Sequence, residues 1–384
     1  MDVNRYRTEE FPVSGGLVYL NHAGVSPIPV RTATRGVAQI REYLNFGAYN
    51  LRGWIEISEE CRKRFATLIG ATPEEVAFVK NTSEGLSFVA GGLQWEEGDN
   101  VITTAVEFPA NLYPWMALKD KGVEVRLARP TPEGRIDEDE LLSMADERTK
   151  LIALSSVEFV NGYRLDLEKI GKFCREHEIY FCVDAIQSLG VIPMDVERYH
   201  IDFLAADGHK WLLSIEGIGG FFVSSRVIDR LRPIEYGWHS VVKRFDFENP
   251  DFTLDRTAKK FEPGSFNVLS IAMFSESLGL ILEVGVENIQ ERVFSLVDHL
   301  ASKIEGDWEV LTPMGEGERS GIFTFRVPGI DGKDLWKKLL EKDVVVSPRG
   351  GGIRVSPHFY NTPEELDRFL ELTRETVREL RAGG

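Results

Sequence analysis

Residues 150–157 read KLIALSSV, residues 179–187 read IYFCVDAIQ, and residues 203–211 read FLAADGHKW. Each carries a run of four or more apolar residues without polar alternation. Such a strand is buried on both faces, as in a parallel sheet covered by helices. Parallel neighbours need a crossover of a dozen or more residues, and one is present: Leu167–Glu178 has a helical pattern and follows Asp166, an N-cap residue type. Further out, short strand-like runs stand at Glu75–Val79, Asn100–Ala105, Val123–Ala128 and Gly220–Val223. A helical pattern at Glu84–Gly91 follows Asn81-Thr82-Ser83. This alternation predicts an α/β fold with a mostly parallel central sheet flanked by helices.

The pattern changes near residue 270. Ser275–Glu305 reads as one or two helices, followed by a strand at Gly321–Val327 and a helix at Gly332–Lys342. Short strands at Val344–Ser347 and Gly352–Ser356 lead to a helix at Thr362–Arg381. Thr362-Pro363-Glu364-Glu365 opens that helix with Thr as cap and Pro at the first position. The expected organisation is a large α/β domain over 18–270 and a smaller α+β domain over 271–384, with residues 1–17 packed nearby.

The 384 residues include 45 Lys and Arg against 61 Asp and Glu, a net charge of −16. That balance argues against nucleic-acid binding, which needs a basic footprint. The start, MDVNRYRTEEFPVSGG, lacks the apolar core of a signal peptide. No run of 18 apolar residues is present, so no membrane span is expected. Three cysteines, Cys61, Cys174 and Cys182, do not form a disulfide framework. A cytoplasmic location is the default expectation.

Open α/β sheets collect ligands at the carboxyl ends of their strands. After 179–183 comes Asp184-Ala185-Ile186-Gln187, and after 203–206 comes Asp207-Gly208-His209-Lys210. Lys80-Asn81-Thr82-Ser83 opens a helix whose free N–H groups suit a phosphate. Glu107-Phe108-Pro109-Ala110-Asn111 offers an aromatic plate. Together these fit pyridoxal 5'-phosphate (PLP). Lys210 can form a Schiff base, Asp184 can hold the pyridine nitrogen protonated, Phe108 can stack on the ring, and Gln187 can reach the ring oxygen. No metal site is expected. A nicotinamide dehydrogenase is disfavoured because no G-x-G-x-x-G follows the first strand.

These pieces resemble the class V aminotransferases. That branch of the fold-type I PLP enzymes also holds cysteine desulfurases, kynureninases and isopenicillin N epimerase-like proteins. The matching segments are Tyr19-Leu20-Asn21-His22-Ala23-Gly24, Asn81–Gly85, Glu107–Asn111, Asp184–Gln187, Gly208–Trp211, Phe261-Glu262-Pro263-Gly264-Ser265 and Gly352–Ser356. They run in family order over nearly the whole chain. The resemblance implies that Lys210 is the Schiff-base lysine and proton shuttle. It implies a pyridinium partner in Asp184, a ring-oxygen contact in Gln187, and phosphate contacts in Thr82, Ser83 and His209. Ser265 would reach the partner subunit's phosphate in a homodimer with shared sites. Arg354 would clamp the substrate α-carboxylate, and Asn21 and His22, in segments that line the site in relatives, are expected to bind substrate as well. Arg349, in the Gly-rich turn before Arg354, either binds a second substrate carboxylate or faces solvent.

Some positions depart from the family pattern. Phe108 replaces the stacking His of the desulfurases, and Phe159 falls near a ring-contacting Asn. Asp207 stands where a phosphate-binding Ser or Thr is usual. No cysteine follows Cys182, whereas desulfurases carry their nucleophile on a loop of the C-terminal third. The expected activity is therefore that of a PLP-dependent aminotransferase acting at Cα of an amino acid. An epimerase or a C–S or β-eliminating lyase is the alternative, rather than a loop-cysteine desulfurase.

Overall fold

The computed structural model describes residues 1–383. A short strand β1 (Val18–Tyr19) precedes the main sheet. That sheet has seven strands: β2 (Val76–Val79), β3 (Asn100–Thr104), β4 (Glu124–Ala128), β5 (Thr149–Ser155), β6 (Tyr180–Asp184), β7 (Phe203–Asp207) and β8 (Gly219–Val223). Their order is β2-β8-β7-β6-β5-β3-β4. Only β8 runs against its neighbours. The other six therefore deliver their carboxyl ends to one edge. The register sets Ser155 beside Asp184, and Asp184 beside Ala205.

The expected strands are present, and β2, β3, β7 and β8 are buried at every position. Burying apolar area on both faces is the main drive for this arrangement. Asn81 caps the helix Thr82–Gly92 by accepting the Glu84 N–H at 2.9 Å. That helix lies close against β7, because a Cβ on Gly85 would fall 2.8 Å from Ala205 Cβ. The close approach brings the helix N-terminus to the edge where β7 ends.

A second, four-stranded sheet holds β9 (Glu309–Val310), β10 (Phe323–Arg326), β12 (Ser347–Arg349) and β13 (Gly352–Val355), while β11 (Val344–Val345) pairs with β1. The apolar stretch after residue 267 forms two helices, Val268–Val284 and Val286–Ser302, bent 79° to each other. The first of them crosses residue 270 and packs on helices Val30–Phe46 and Leu51–Ile69. Its buried side chains Ile271, Phe274 and Leu278 share the core of the large sheet. Phe323, Phe325, Leu339 and Phe369 belong to a separate core. The N-terminal arm is pinned by Phe11 stacked 3.8 Å from Tyr360 and by the Arg7–Glu365 pair at 2.8 Å. Among the described residues, no single helix is long and apolar enough to cross a membrane.

Candidate active site

Both predicted strand ends open into one cavity of about 410 Å³. Its wall is built from seven segments far apart in sequence: residues 23–25, Asn81–Ser83, Phe108, Phe159, the loops after β6 and β7, and the β12–β13 hairpin.

Asp184 is the last residue of β6 and is 2% exposed. Its Oδ1 accepts the Ile186 N–H at 3.0 Å. Burial pushes its carboxyl up to about 6, opposed by that hydrogen bond and by the Lys210 charge. Lys210 follows β7 by three residues and faces the same cavity. Desolvation lowers its amine to about 8 against the pull of Asp184, and the charges of Arg354 and Arg349 lower it further. A lysine so tuned has a far larger neutral fraction near neutral pH than an exposed lysine and can act as nucleophile or base. Its Nζ sits 5.6 Å from the centroid of Phe108, whose ring meets Phe159 edge-on at 5.2 Å.

Gln187 is fixed by two hydrogen bonds. Its Oε1 accepts the Trp211 Nε1–H at 3.2 Å, and its Nε2 donates to the Ala23 carbonyl at 3.1 Å. One amide hydrogen is left over on a residue that lines the cavity. Thr82 Oγ1 accepts the Asp207 N–H at 3.1 Å, so its hydroxyl proton remains to be donated. Thr82 and Ser83 are the first two helical residues, whose N–H groups have no intrahelical acceptor. His209 Nδ1 lies 3.1 Å from Asp207 Oδ1.

Arg354, on β13, is 1% exposed. Its only hydrogen bond is from Nη1 to the Phe159 carbonyl at 2.8 Å, and no carboxylate pairs with it among the described residues. Burial and the charge of Arg349 bring its guanidinium down to about 9. A buried cation left this way is costly unless an anion arrives.

Two sequence expectations are corrected. His22 is fully buried behind the wall, with Nδ1 on the Ser356 carbonyl and Nε2 on the Tyr360 hydroxyl, each at 2.8 Å. No ring nitrogen is left for a substrate. Asn21 packs beneath the turn at Gly24, where a Cβ would come within 2.6 Å of its amide. Neither residue lines the cavity. Ser265 is exposed on the loop after Phe261 and also lies outside this wall.

Beneath the cavity, the structure adds two carboxylates that the sequence reading does not single out. Glu107 accepts the Ser155 N–H at 2.7 Å and the Ser155 hydroxyl at 2.5 Å. Glu158 accepts the Thr104 hydroxyl at 3.1 Å, and its Oε2 has no partner. Burial raises both, Glu158 to about 7, and the charge of Asp184 adds to the effect. Their position directly before Phe108 and Phe159 was the available signal.

The wall residues Asp207, His209, Arg349 and Arg354 each contribute a buried polar atom without a hydrogen-bond partner. The unpaired Nε–H donors of Arg349 and Arg354, with the buried Asp184 carboxylate and a low-pKa lysine on the same wall, fit an anionic ligand with a basic ring nitrogen, and PLP is such a ligand. The sheet around them is that of the PLP-dependent fold-type I enzymes. The family model described as aminotransferase class-V matches residues 18–369, and the chain belongs to this family.

A probable cysteine desulfurase of Methanothermobacter thermautotrophicus is 29% identical, over 98% of this chain and 99% of the relative. An uncharacterized aminotransferase of Bacillus subtilis, YcbU, is 30% identical over 88% and 90%. Among solved structures, apo cysteine desulfurase from Thermococcus onnurineus NA1 superposes with a TM-score of 0.88 at 25% identity, over 98% of both chains. The cystine C–S lyase C-DES shares the fold, with a TM-score of 0.89 at 21% identity over 95% of this chain and 99% of its own. Relatives of both names leave transferase and lyase chemistry open, and the comparisons give no support to the expected exclusion of desulfurase activity. The thiols themselves are placed by the structure: Cys61, Cys174 and Cys182 are at most 1% exposed, and none lines the cavity.

Proposed function

We propose that this chain is a PLP-dependent enzyme of aminotransferase type acting at Cα of an amino acid. The observation that carries the reading is the convergence of Lys210, Asp184 and the anion-free Arg354 on one cavity. When bound, PLP supplies an aldehyde for an amine and a ring that withdraws electrons. The protein supplies the rest. Lys210 Nζ holds the cofactor and then moves the proton at the substrate Cα. The Asp184 carboxylate keeps a proton on the ring nitrogen, Gln187 donates its spare N–H to the ring oxygen, and Phe108 covers the ring face. Thr82, Ser83 and His209 hold the phosphate. Arg354 orients the α-carboxylate through its planar fork.

The working form in this proposal is a homodimer in which Ser265 reaches the partner's phosphate. Leu44, Phe46 and Tyr49 support it, being 80%, 64% and 90% exposed in the single chain. Bare apolar patches of this kind mark association surfaces.

A second reading, a lyase that eliminates sulfur from the substrate's β-carbon, is favoured by the relatives named for cysteine desulfurase. With the chain's own thiols sealed in the core, sulfur would leave without a persulfide on this cavity's wall. The β12–β13 hairpin supports this, because it turns on Gly350 and Gly351 at φ 58° and 75°. A two-residue turn leaves no loop to carry a nucleophile.

The test is a panel of amino acids incubated with holoenzyme, with and without 2-oxo acid acceptors, and analysed by mass spectrometry. Transamination predicts keto acid formed only in step with acceptor consumption. Pyruvate and ammonia released without acceptor, together with sulfide from cysteine or cysteine persulfide from cystine, would replace the aminotransferase reading with the lyase one.

A further inference from the structure

The β12–β13 hairpin carries two arginines, not one. In its antiparallel register Ser347 faces Arg354 and Arg349 faces Gly352. Side chains two residues apart share a face, so Arg349 lies on the same face as Ser347 and Arg354, as the diagonal neighbour of Arg354. Both arginines line the cavity. Arg349 Nη1 donates only to its neighbour's Pro348 carbonyl at 2.8 Å, and Nε on each arginine is buried without a partner.

The pairing of a third arginine shows what is missing. Arg62, as buried as Arg354, is held by both oxygens of Glu262, at 2.7 and 3.0 Å, while Arg349 is half-buried at the rim. At the hairpin two like charges stand together, and no carboxylate pairs with either among the described residues. One substrate carboxylate satisfies one guanidinium fork, leaving the second fork open toward the same cavity.

We infer that Arg349 forms a second anion subsite and that the substrate is a short acidic α-amino acid, its α-carboxylate on Arg354 and its side-chain acid on Arg349. The inference rests on the proposed role of Arg354 and extends it to substrate class. The cavity volume of about 410 Å³ is at the small end for ligand sites. It must also accommodate the cofactor, so the two anions are joined by a short carbon chain of the aspartate or glutamate kind.

The test compares kcat/KM of holoenzyme for L-aspartate against L-asparagine and for L-glutamate against L-glutamine. These pairs differ little in shape and by one charge. The wild type is expected to favour the better acid over its amide by a factor on the order of 100 or more, the scale for losing a charge-assisted contact. Arg349→Gln should bring that ratio to within a few-fold of one. Arg349→Lys, which keeps the charge and loses the fork, should fall between. An acid-to-amide ratio near one in wild type, or one unchanged by Arg349→Gln, overturns the inference. Should the variants fail to fold, the wild-type ratio decides alone. Turnover of alanine or asparagine with none of aspartate or glutamate would sink the acidic-substrate inference and spare the proposed function. If no amino acid changes the cofactor's absorbance, both fall.

Discussion

Asp184→Asn is expected to lower kcat/KM by roughly 100- to 1,000-fold, the usual cost of removing one preorganised electrostatic partner, while the cofactor stays attached. The amide has the shape of the carboxylate, and its oxygen can still accept the Ile186 N–H. Only the charge that would hold a proton on the ring nitrogen is lost. The same change should leave the apoprotein at least as stable at neutral pH. Burial already pushes this carboxyl up to about 6, so the folded chain bears a cost for its ionised form that an amide does not carry. Steady-state kinetics, cofactor absorbance and a denaturation curve on one preparation separate these effects. Full activity in the variant would remove Asp184 from the proposed chemistry. A parallel loss of stability and activity would make it a structural residue.

The second large effect is on folding. Glu262 receives both Nη atoms of the fully buried Arg62 and the Phe78 N–H at 2.9 Å. It also leads into the Pro263-Gly264-Ser265 loop. Glu262→Ala strands a buried guanidinium and an amide, and is expected to cost about 3–5 kcal/mol. Replacing Arg62 and Glu262 together by Met and Leu should recover the part of that loss that lies in the uncompensated charge, leaving the Phe78 N–H without its acceptor. Midpoints of chemical denaturation measure both. A single-variant loss under about 1 kcal/mol would mean that water reaches Arg62 and that the pair is not sealed.

The large sheet and its active edge were legible in the sequence because their signals are local. A run such as IYFCV can only be buried on both faces, and the polar residue that ends it falls where six strands stop together. Arg354 was legible as a position in a motif, but its lack of a counter-ion required three dimensions. The acid partners it could have had lie anywhere along the chain. His22 shows the opposite failure. Its segment does approach the site, yet Ala23 lines the cavity while the imidazole turns away to Ser356 and Tyr360. A segment match does not say which way each side chain points. Glu107 and Glu158 sit beside motif residues but do not stand out in the sequence, where exposed glutamates look the same as buried ones. Helices Val30–Phe46 and Leu51–Ile69 were the least legible elements. The first lacks a side-chain N-cap hydrogen bond and opens after a Pro-rich stretch, and it is held chiefly by packing on Val268–Val284, a long-range contact that local propensity does not encode.

The central claim is that Lys210 holds PLP. It is tested most directly by reducing purified holoenzyme with borohydride, digesting it, and mapping the modified peptide by mass spectrometry. The account predicts loss of the visible absorbance and a pyridoxyl group on Lys210 alone, with no covalently attached cofactor in Lys210→Ala. A reduced cofactor on any other lysine, or one still attached in Lys210→Ala, would contradict it.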